Sequence, residues 1–114
     1  MKLSGDLYSI EDNVVRFNPD HIIYQAHFPE NPITPGVCLM QIAGEMMEAR
    51  YGDTMQLIKV VNVKFRKPVT PDVSPSFMFN KITFDKDKVS VGVSVEANGI
   101  QYARMSLVYH HTNI

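Results

Sequence analysis

The chain has 114 residues, 45% of them hydrophobic and 20% charged, with a net charge of −1. That length gives one domain, residues 1–114, able to bury roughly 65% of its unfolded surface. The near-zero charge makes no general case for nucleic-acid binding, and no apolar run reaches the ~18 residues of a membrane span. The single cysteine, Cys38, cannot close an internal disulfide, and the opening stretch Met1-Lys2-Leu3-Ser4-Gly5-Asp6 has no apolar signal-peptide core. Both fit a reducing, cytoplasmic setting.

Leu7-Tyr8-Ser9-Ile10 reads as a short strand, Glu11-Asp12-Asn13 as a turn, and Val14-Val15-Arg16-Phe17 as a second strand. Asn18-Pro19-Asp20 breaks it, and Ile22-Ile23-Tyr24 is a short apolar approach to Gln25-Ala26-His27. Next comes a loop stiffened by Pro29, Pro32 and Pro35, each of which fixes its own φ and pushes the preceding residue out of the helical region. A helix is expected from about Pro35 to Tyr51, with Thr34 as N-cap, Pro35 in the first helical position and Gly52 as the C′ residue. Its apolar residues, Val37, Leu39, Met40, Ile42, Ala43, Met46, Met47 and Tyr51, wrap much of the circumference, so the helix is mostly buried. The methionines fill core by this reading, with a role in lining a site for a flexible apolar ligand as the alternative.

The remainder is strand-rich. Met55 to Phe65 and Ser76 to Phe84 read as strands, and Asp85-Lys86-Asp87 as a turn. Val89, Val91, Val93 and Val95 alternate with Ser90, Gly92, Ser94 and Glu96, a period of two with one face buried and one wetter. Asn98-Gly99 is a type I′ hairpin turn, after which Ile100 to His110 returns antiparallel. A long helix followed by a meander of strands makes an α+β protein, with the helix on one face of an antiparallel sheet.

Two segments carry chemistry. His27-Phe28-Pro29-Glu30-Asn31-Pro32-Ile33-Thr34-Pro35-Gly36-Val37 puts a histidine on a stiff loop before a helix N-terminus, whose bare N–H groups stabilise partial negative charge. Phe65-Arg66-Lys67-Pro68-Val69-Thr70-Pro71-Asp72 is the second. The first resembles the H-F-P-x-x-P-x-x-P-G-V pattern of the hot-dog-fold 3-hydroxyacyl-acyl-carrier-protein dehydratases, and the second resembles their R-F-x-x-P-V-x-P-G-D segment, with Asp72 where glycine is usual. The resemblance runs from about Val14 to the C-terminus. It implies a hot-dog fold, an antiparallel sheet wrapped around one central helix, and a dehydratase of fatty-acid or related acyl-chain synthesis that needs no cofactor or metal.

In that family the histidine, here His27, takes the α-proton of a 3-hydroxyacyl thioester. A backbone N–H at the helix start, here Gly36, holds the carbonyl, with Phe28, Pro35 and Val37 as substrate-binding neighbours. Such a proton is weakly acidic, so the developing enolate oxygen needs donors while a base of near-neutral pKa acts. Family members carry an acid at the position of Gln41 and commonly a glutamine one turn later, where this chain has Glu45. Residues four apart share a helix face, so acid and amide are exchanged along it. Either Glu45 replaces the missing acid, directly or through water, or it is an ordinary helix residue in a site that has lost its acid.

Lys64, Arg66 and Lys67 are either a solvated strand end or, by the resemblance, a docking patch for an acidic acyl carrier protein. His21, His110 and His111 make no metal set with His27, and Cys38 reads as a small buried apolar residue. The resemblance also implies a homodimer or higher oligomer, since the family's site combines one subunit's histidine with the other's helix. Two other functions remain open at this stage: an acyl thioesterase, and a non-catalytic acyl-binding or partner subunit that supplies half a site to an acid-bearing homologue.

Overall fold

The computed structural model describes residues 2–26 and 30–112. In chain order the elements are β1 (Tyr8–Glu11), β2 (Val14–Phe17), α1 (Ile22–Ala26), α2 (Gly36–Tyr51), β3 (Thr54–Phe65), β4 (Ser76–Asp85), β5 (Lys88–Ala97) and β6 (Ile100–Thr112). β1 and β2 pair as an antiparallel hairpin, and the four long strands form an antiparallel sheet in the order β3-β6-β5-β4. The two sheets meet where the Val15 N–H donates to the Pro75 carbonyl at 2.8 Å, just before β4. No described helix is long and apolar enough to cross a membrane.

The turns follow from residues that tolerate positive φ. Asp12 and Asn13 adopt φ of 53° and 64°, and Asn98 and Gly99 adopt 52° and 75°, as type I′ turns require. Gly52 ends α2 at φ 78°, with its N–H on the Glu48 carbonyl at 2.8 Å. The valines of β5 that alternate in sequence are all buried. Their opposite face is less uniformly wet than expected: Ser94 is buried, donating to Glu96 Oε2 and accepting from Gln101 Nε2.

One local expectation needs correction, and one segment gains a definite conformation. Ile22-Ile23-Tyr24, read only as a short apolar approach, is part of the short helix α1. The Asn18 side chain accepts the Asp20 N–H, and His21 Nδ1 accepts the Ile23 N–H at 3.0 Å, so local side-chain caps bend the chain before the apolar residues. Thr34 is not the cap of α2, because Pro35 holds that position and its carbonyl accepts the first helical N–H, from Cys38 at 2.9 Å. Thr34 is instead buried, with its N–H on the Val69 carbonyl at 2.7 Å and its Oγ1 2.8 Å from the Tyr24 hydroxyl.

Of the residues of α2 only Val37, Ala49, Arg50 and Tyr51 are exposed. Cys38, Leu39, Met40, Ile42, Ala43 and Met47 join the core with the β5 valines and Tyr102, Ala103, Met105, Leu107 and Tyr109 of β6. In the middle of α2 the helix approaches the sheet closely at Gly44. A Cβ there would stand 2.8 Å from the Tyr109 ring, which is itself buried and donates its hydroxyl to the Met40 carbonyl at 2.7 Å. Gly44→Ala is therefore expected to destabilise the protein, because overpacking costs about 1–3 kcal/mol and outweighs the helix-propensity gain of up to ~1 kcal/mol. Urea unfolding of the variant checks this; an increase in stability would show that Tyr109 gives way freely.

Candidate functional site

The N-terminus of α2 opens into a cleft of ≈ 340 Å³ lined by Thr34, Pro35, Gly36, Phe65, Arg66 and Lys67, among others. The N–H groups of Gly36 and Val37 lie ahead of the first intrahelical bond, so the helix presents its donor end here. The Phe65 ring packs closely on Gly36: a Cβ there would stand 2.3 Å from the tip of the ring, which would have to move aside. Phe65, at the end of β3, is 52% exposed, so an aromatic ring rests against the helix start at the surface.

The basic residues beside the cleft are held by β6. Arg66 Nε donates to Gln101 Oε1 at 2.9 Å, and the Lys67 ammonium lies 5.5 Å from the centroid of the Tyr102 ring. The backbone N–H groups of both residues reach the Tyr102 carbonyl. Lys64 stands opposite Arg104 across the β3–β6 ladder, and both are exposed. This end of the sheet therefore carries four cations, Lys64, Arg66, Lys67 and Arg104, a field that attracts an acidic surface. Asp72, where the family pattern has glycine, accepts the Thr70 hydroxyl.

Gln41 and Glu45 lie further along α2, outside the residues that line this cleft. Glu45 is buried and accepts four hydrogen bonds. They come from the Leu3 N–H (2.7 Å), the Ser4 N–H (2.9 Å), the Tyr8 hydroxyl (3.0 Å) and Gln41 Nε2 (2.9 Å). Burial alone would push the Glu45 carboxyl up. The Gln41 amide, the two backbone N–H groups and the Tyr8 hydroxyl outweigh it and hold the group below the ordinary carboxylate value. Burial, together with the charge of Glu45, pushes the Tyr8 hydroxyl well up, so it stays a neutral donor. A carboxylate so held favours its charged form.

The sequence-derived site is thus divided. Pro35 and Gly36 meet Arg66 and Lys67 at the cleft, Val37 is 67% exposed beside it, and Gln41 and Glu45 make a second cluster with the N-terminal segment. His27 and Phe28 lie outside the described residues. Sequence reading missed Leu3, Ser4 and Tyr8 as partners of Glu45, and Phe65 as the neighbour of Gly36. The partners of Glu45 are 37 to 42 residues away in the chain, where no periodicity or spacing reports contact.

The Glu45 contacts predict an acid-sensitive contribution to stability. A carboxyl depressed in the folded state contributes fully above the unfolded value of about 4.3, and the contribution is lost as pH falls through the lower folded value. Glu45→Gln should lower stability most at neutral pH, with the two unfolding curves converging in acid. Urea unfolding across a pH series measures this, and a constant difference at every pH would contradict it.

The chain was compared with known proteins. Residues 10–104 match the family model of the ApeI-like proteins, described as ApeI dehydratase. A 3-hydroxyacyl-[acyl-carrier-protein] dehydratase FabZ from Bartonella bacilliformis is 37% identical over 79 residues, 62% of this chain and 50% of the relative. A FabZ from Rhizobium etli is 34% identical over 88 residues, 71% of this chain and 56% of the relative. The chain therefore spans about half the length of the curated relatives it matches. A chain of the dehydratase heterocomplex ApeI:P from Xenorhabdus doucetiae shares the fold, with a TM-score of 0.60 at 16% identity over 85% of this chain and 83% of that one. An uncharacterized protein from Erwinia carotovora does so with a TM-score of 0.55 at 18% identity, over 94% and 90%. With a family match that takes in both the histidine loop and the Phe65–Asp72 segment, the chain belongs to the ApeI-like dehydratase family.

Proposed function

We propose that this chain is a dehydratase of 3-hydroxyacyl thioesters presented by an acyl carrier protein, in fatty-acid or related acyl-chain synthesis. The observation that carries the reading is the dehydratase-family match over residues 10–104, which contains both motif segments. We further infer a single hot-dog domain, in which the β1–β2 hairpin and the four-stranded sheet curve as one surface around α2. The bridge from Val15 to Pro75 supports that continuity.

In this reading His27 removes the α-proton while the Gly36 N–H, at the donor end of α2, takes the developing charge on the thioester oxygen. The β-hydroxyl then leaves as water, taking the proton that His27 removed from the α carbon, and a double bond remains between the α and β carbons. Pro35, Phe28 and Val37 line the acyl thioester, and Lys64, Arg66 and Lys67 receive the acidic carrier. Gln41 orients the hydroxyl without titrating, since an amide has no ionisable proton to give. The setting is cytoplasmic.

The proposed assembly is a dimer or a multiple of it, with one subunit's His27 completed by the other's α2. Support comes from β3, an edge strand of the four-stranded sheet that exposes Ile58, Val60, Val61 and Phe65. A long apolar edge is an aggregation hazard unless something covers it. A C2 pairing of two such edges is the simplest closed solution.

A second reading has a specific observation behind it. Gln41 carries no acid and the Glu45 carboxylate is held ionised, so the helix face offers no proton to the leaving hydroxyl. In that reading the chain is the partner of an acid-bearing homologue and supplies half a site.

Incubation of the protein with a 3-hydroxyacyl carrier protein tests both. Formation of the enoyl thioester by the chain alone supports dehydration, no reaction until an acid-bearing homologue is added supports the partner reading, and release of free acid makes it a thioesterase. His27→Ala should lower enoyl formation by about 10²-fold or more while leaving the fold intact; an unchanged rate removes His27 from the mechanism. Light scattering at micromolar concentration should give a mass of at least two chains, and a monomer would contradict the shared site.

A further inference from the structure

We propose that Glu45 is a positioning residue: it fixes the orientation of the Gln41 amide and is itself fixed by the N-terminal strap Leu3–Tyr8. The functional consequence rests on the dehydratase reading above, whereas the clasp itself does not.

The geometry leaves little freedom. An ionised carboxylate only accepts hydrogen bonds, so the end of the Gln41 amide that faces it at 2.9 Å must be the NH₂ group. The amide oxygen is then turned away from Glu45. An amide free to rotate offers donor or acceptor indifferently, and one bonded to a carboxylate has a defined polarity. Glu45 Oε2 is shared between Gln41 and the Leu3 N–H, while Oε1 takes the Ser4 N–H and the Tyr8 hydroxyl. The carboxylate therefore cannot rotate to release Gln41 without breaking its bonds to the strap.

The strap is anchored independently. Leu3, Leu7 and Tyr8 are core residues, and the Leu3 carbonyl accepts the Leu7 N–H at 2.8 Å. A rigid run of backbone thus sets a carboxylate, and the carboxylate sets an amide one helical turn away. The charged neighbours of the cluster are Glu48 and Asp53, which share a cavity with Glu45, and Lys2, whose ammonium is 3.6 Å from Glu48.

Two measurements test the clasp, one of them without substrate. In an NMR titration of the ¹⁵N-labelled protein, the Gln41 side-chain NH₂ resonance should follow the protonation of Glu45 as pH falls. In Tyr8→Phe, which removes one donor from the carboxylate, the midpoint should move to higher pH. A Gln41 resonance that ignores Glu45, or a midpoint unmoved by Tyr8→Phe, overturns the clasp whether or not the protein is an enzyme.

With a 3-hydroxyacyl carrier protein as substrate, Glu45→Met should reduce kcat about tenfold or more with little change in KM, the pattern of lost positioning in the transition state rather than lost binding. Tyr8→Phe should shift kcat in the same direction by less, and it keeps the test open if Glu45→Met does not fold. Gln41→Glu places two carboxylates face to face, so one must hold a proton, and the pH–rate profile should gain an ionisation absent from the wild type. An unchanged kcat in a folded Glu45→Met protein makes Glu45 structural only. Wild-type inactivity on this substrate would instead overturn the dehydratase reading and leave the NMR result to judge the clasp.

Discussion

A helix that is apolar over most of its circumference must bury more than one narrow stripe. α2 is such a helix, and the four-stranded sheet, the β1–β2 hairpin and the N-terminal segment share its burial. The β5 valines and the inward residues of β6 cover one side of the core, and the strap with the β1–β2 hairpin contributes Leu3, Leu7, Tyr8, Val15 and Phe17. Enclosure at close range also dictates Gly44, where the backbone of α2 lies against Tyr109 with no room for a methyl group. Side chains in such a core interdigitate at near-crystalline density. The donor end of the helix and the Gln41–Glu45 face both belong to this packed element.

Enclosure also decides where polar chemistry can occur. Along most of α2 a polar side chain would lose water without compensation. Two places escape this. The N-terminus opens at the surface between Phe65 and the basic end of β3, so the donor groups of the helix meet solvent or substrate there. Glu45 sits inside the enclosure, and four donors compensate for its lost water. Removing one partner of such a group leaves a buried polar atom unmet, at a cost of about 1–3 kcal/mol, whereas the net gain from the intact bond is smaller. The Glu45 carboxylate therefore adds a polar tie between the helix, the strap and the first residue of β1 to their shared apolar core.

The elements whose signals are local were legible in the sequence. The hairpin turns were marked by Asp12-Asn13 and Asn98-Gly99, the end of α2 by Gly52, and the buried face of β5 by its alternating valines. Motif spacing brought Gly36, Arg66 and Lys67 to attention, and they do share a cleft. Two kinds of feature escaped. At the start of α1 the Asn18 and His21 side chains accept the Asp20 and Ile23 N–H groups, and the apolar run by itself does not report these local caps. Thr34 looked like a cap from its neighbours in sequence, but Tyr24 and Val69, remote in the chain or poorly marked, claim both its hydroxyl and its N–H. Contacts of that kind depend on how the elements pack, and neither propensity nor periodicity encodes them.

The exchange of acid and amide along α2 shows why residue type alone does not assign a role. On the sequence, Glu45 and Gln41 are the family's two side chains with their places reversed, and an acid one turn away looks like a substitute. In the fold the two positions are not equivalent. Position 45 faces the strap, whose backbone N–H groups prefer an ionised acceptor, and position 41 faces position 45. A carboxyl at 45 is stabilised in its charged form and so becomes a poor proton donor. A carboxyl at 41 would stand beside the Glu45 carboxylate, whose like charge would raise its pKa. The environment, more than the identity of the side chain, sets the state of a carboxyl, and at position 45 it supplies four donors.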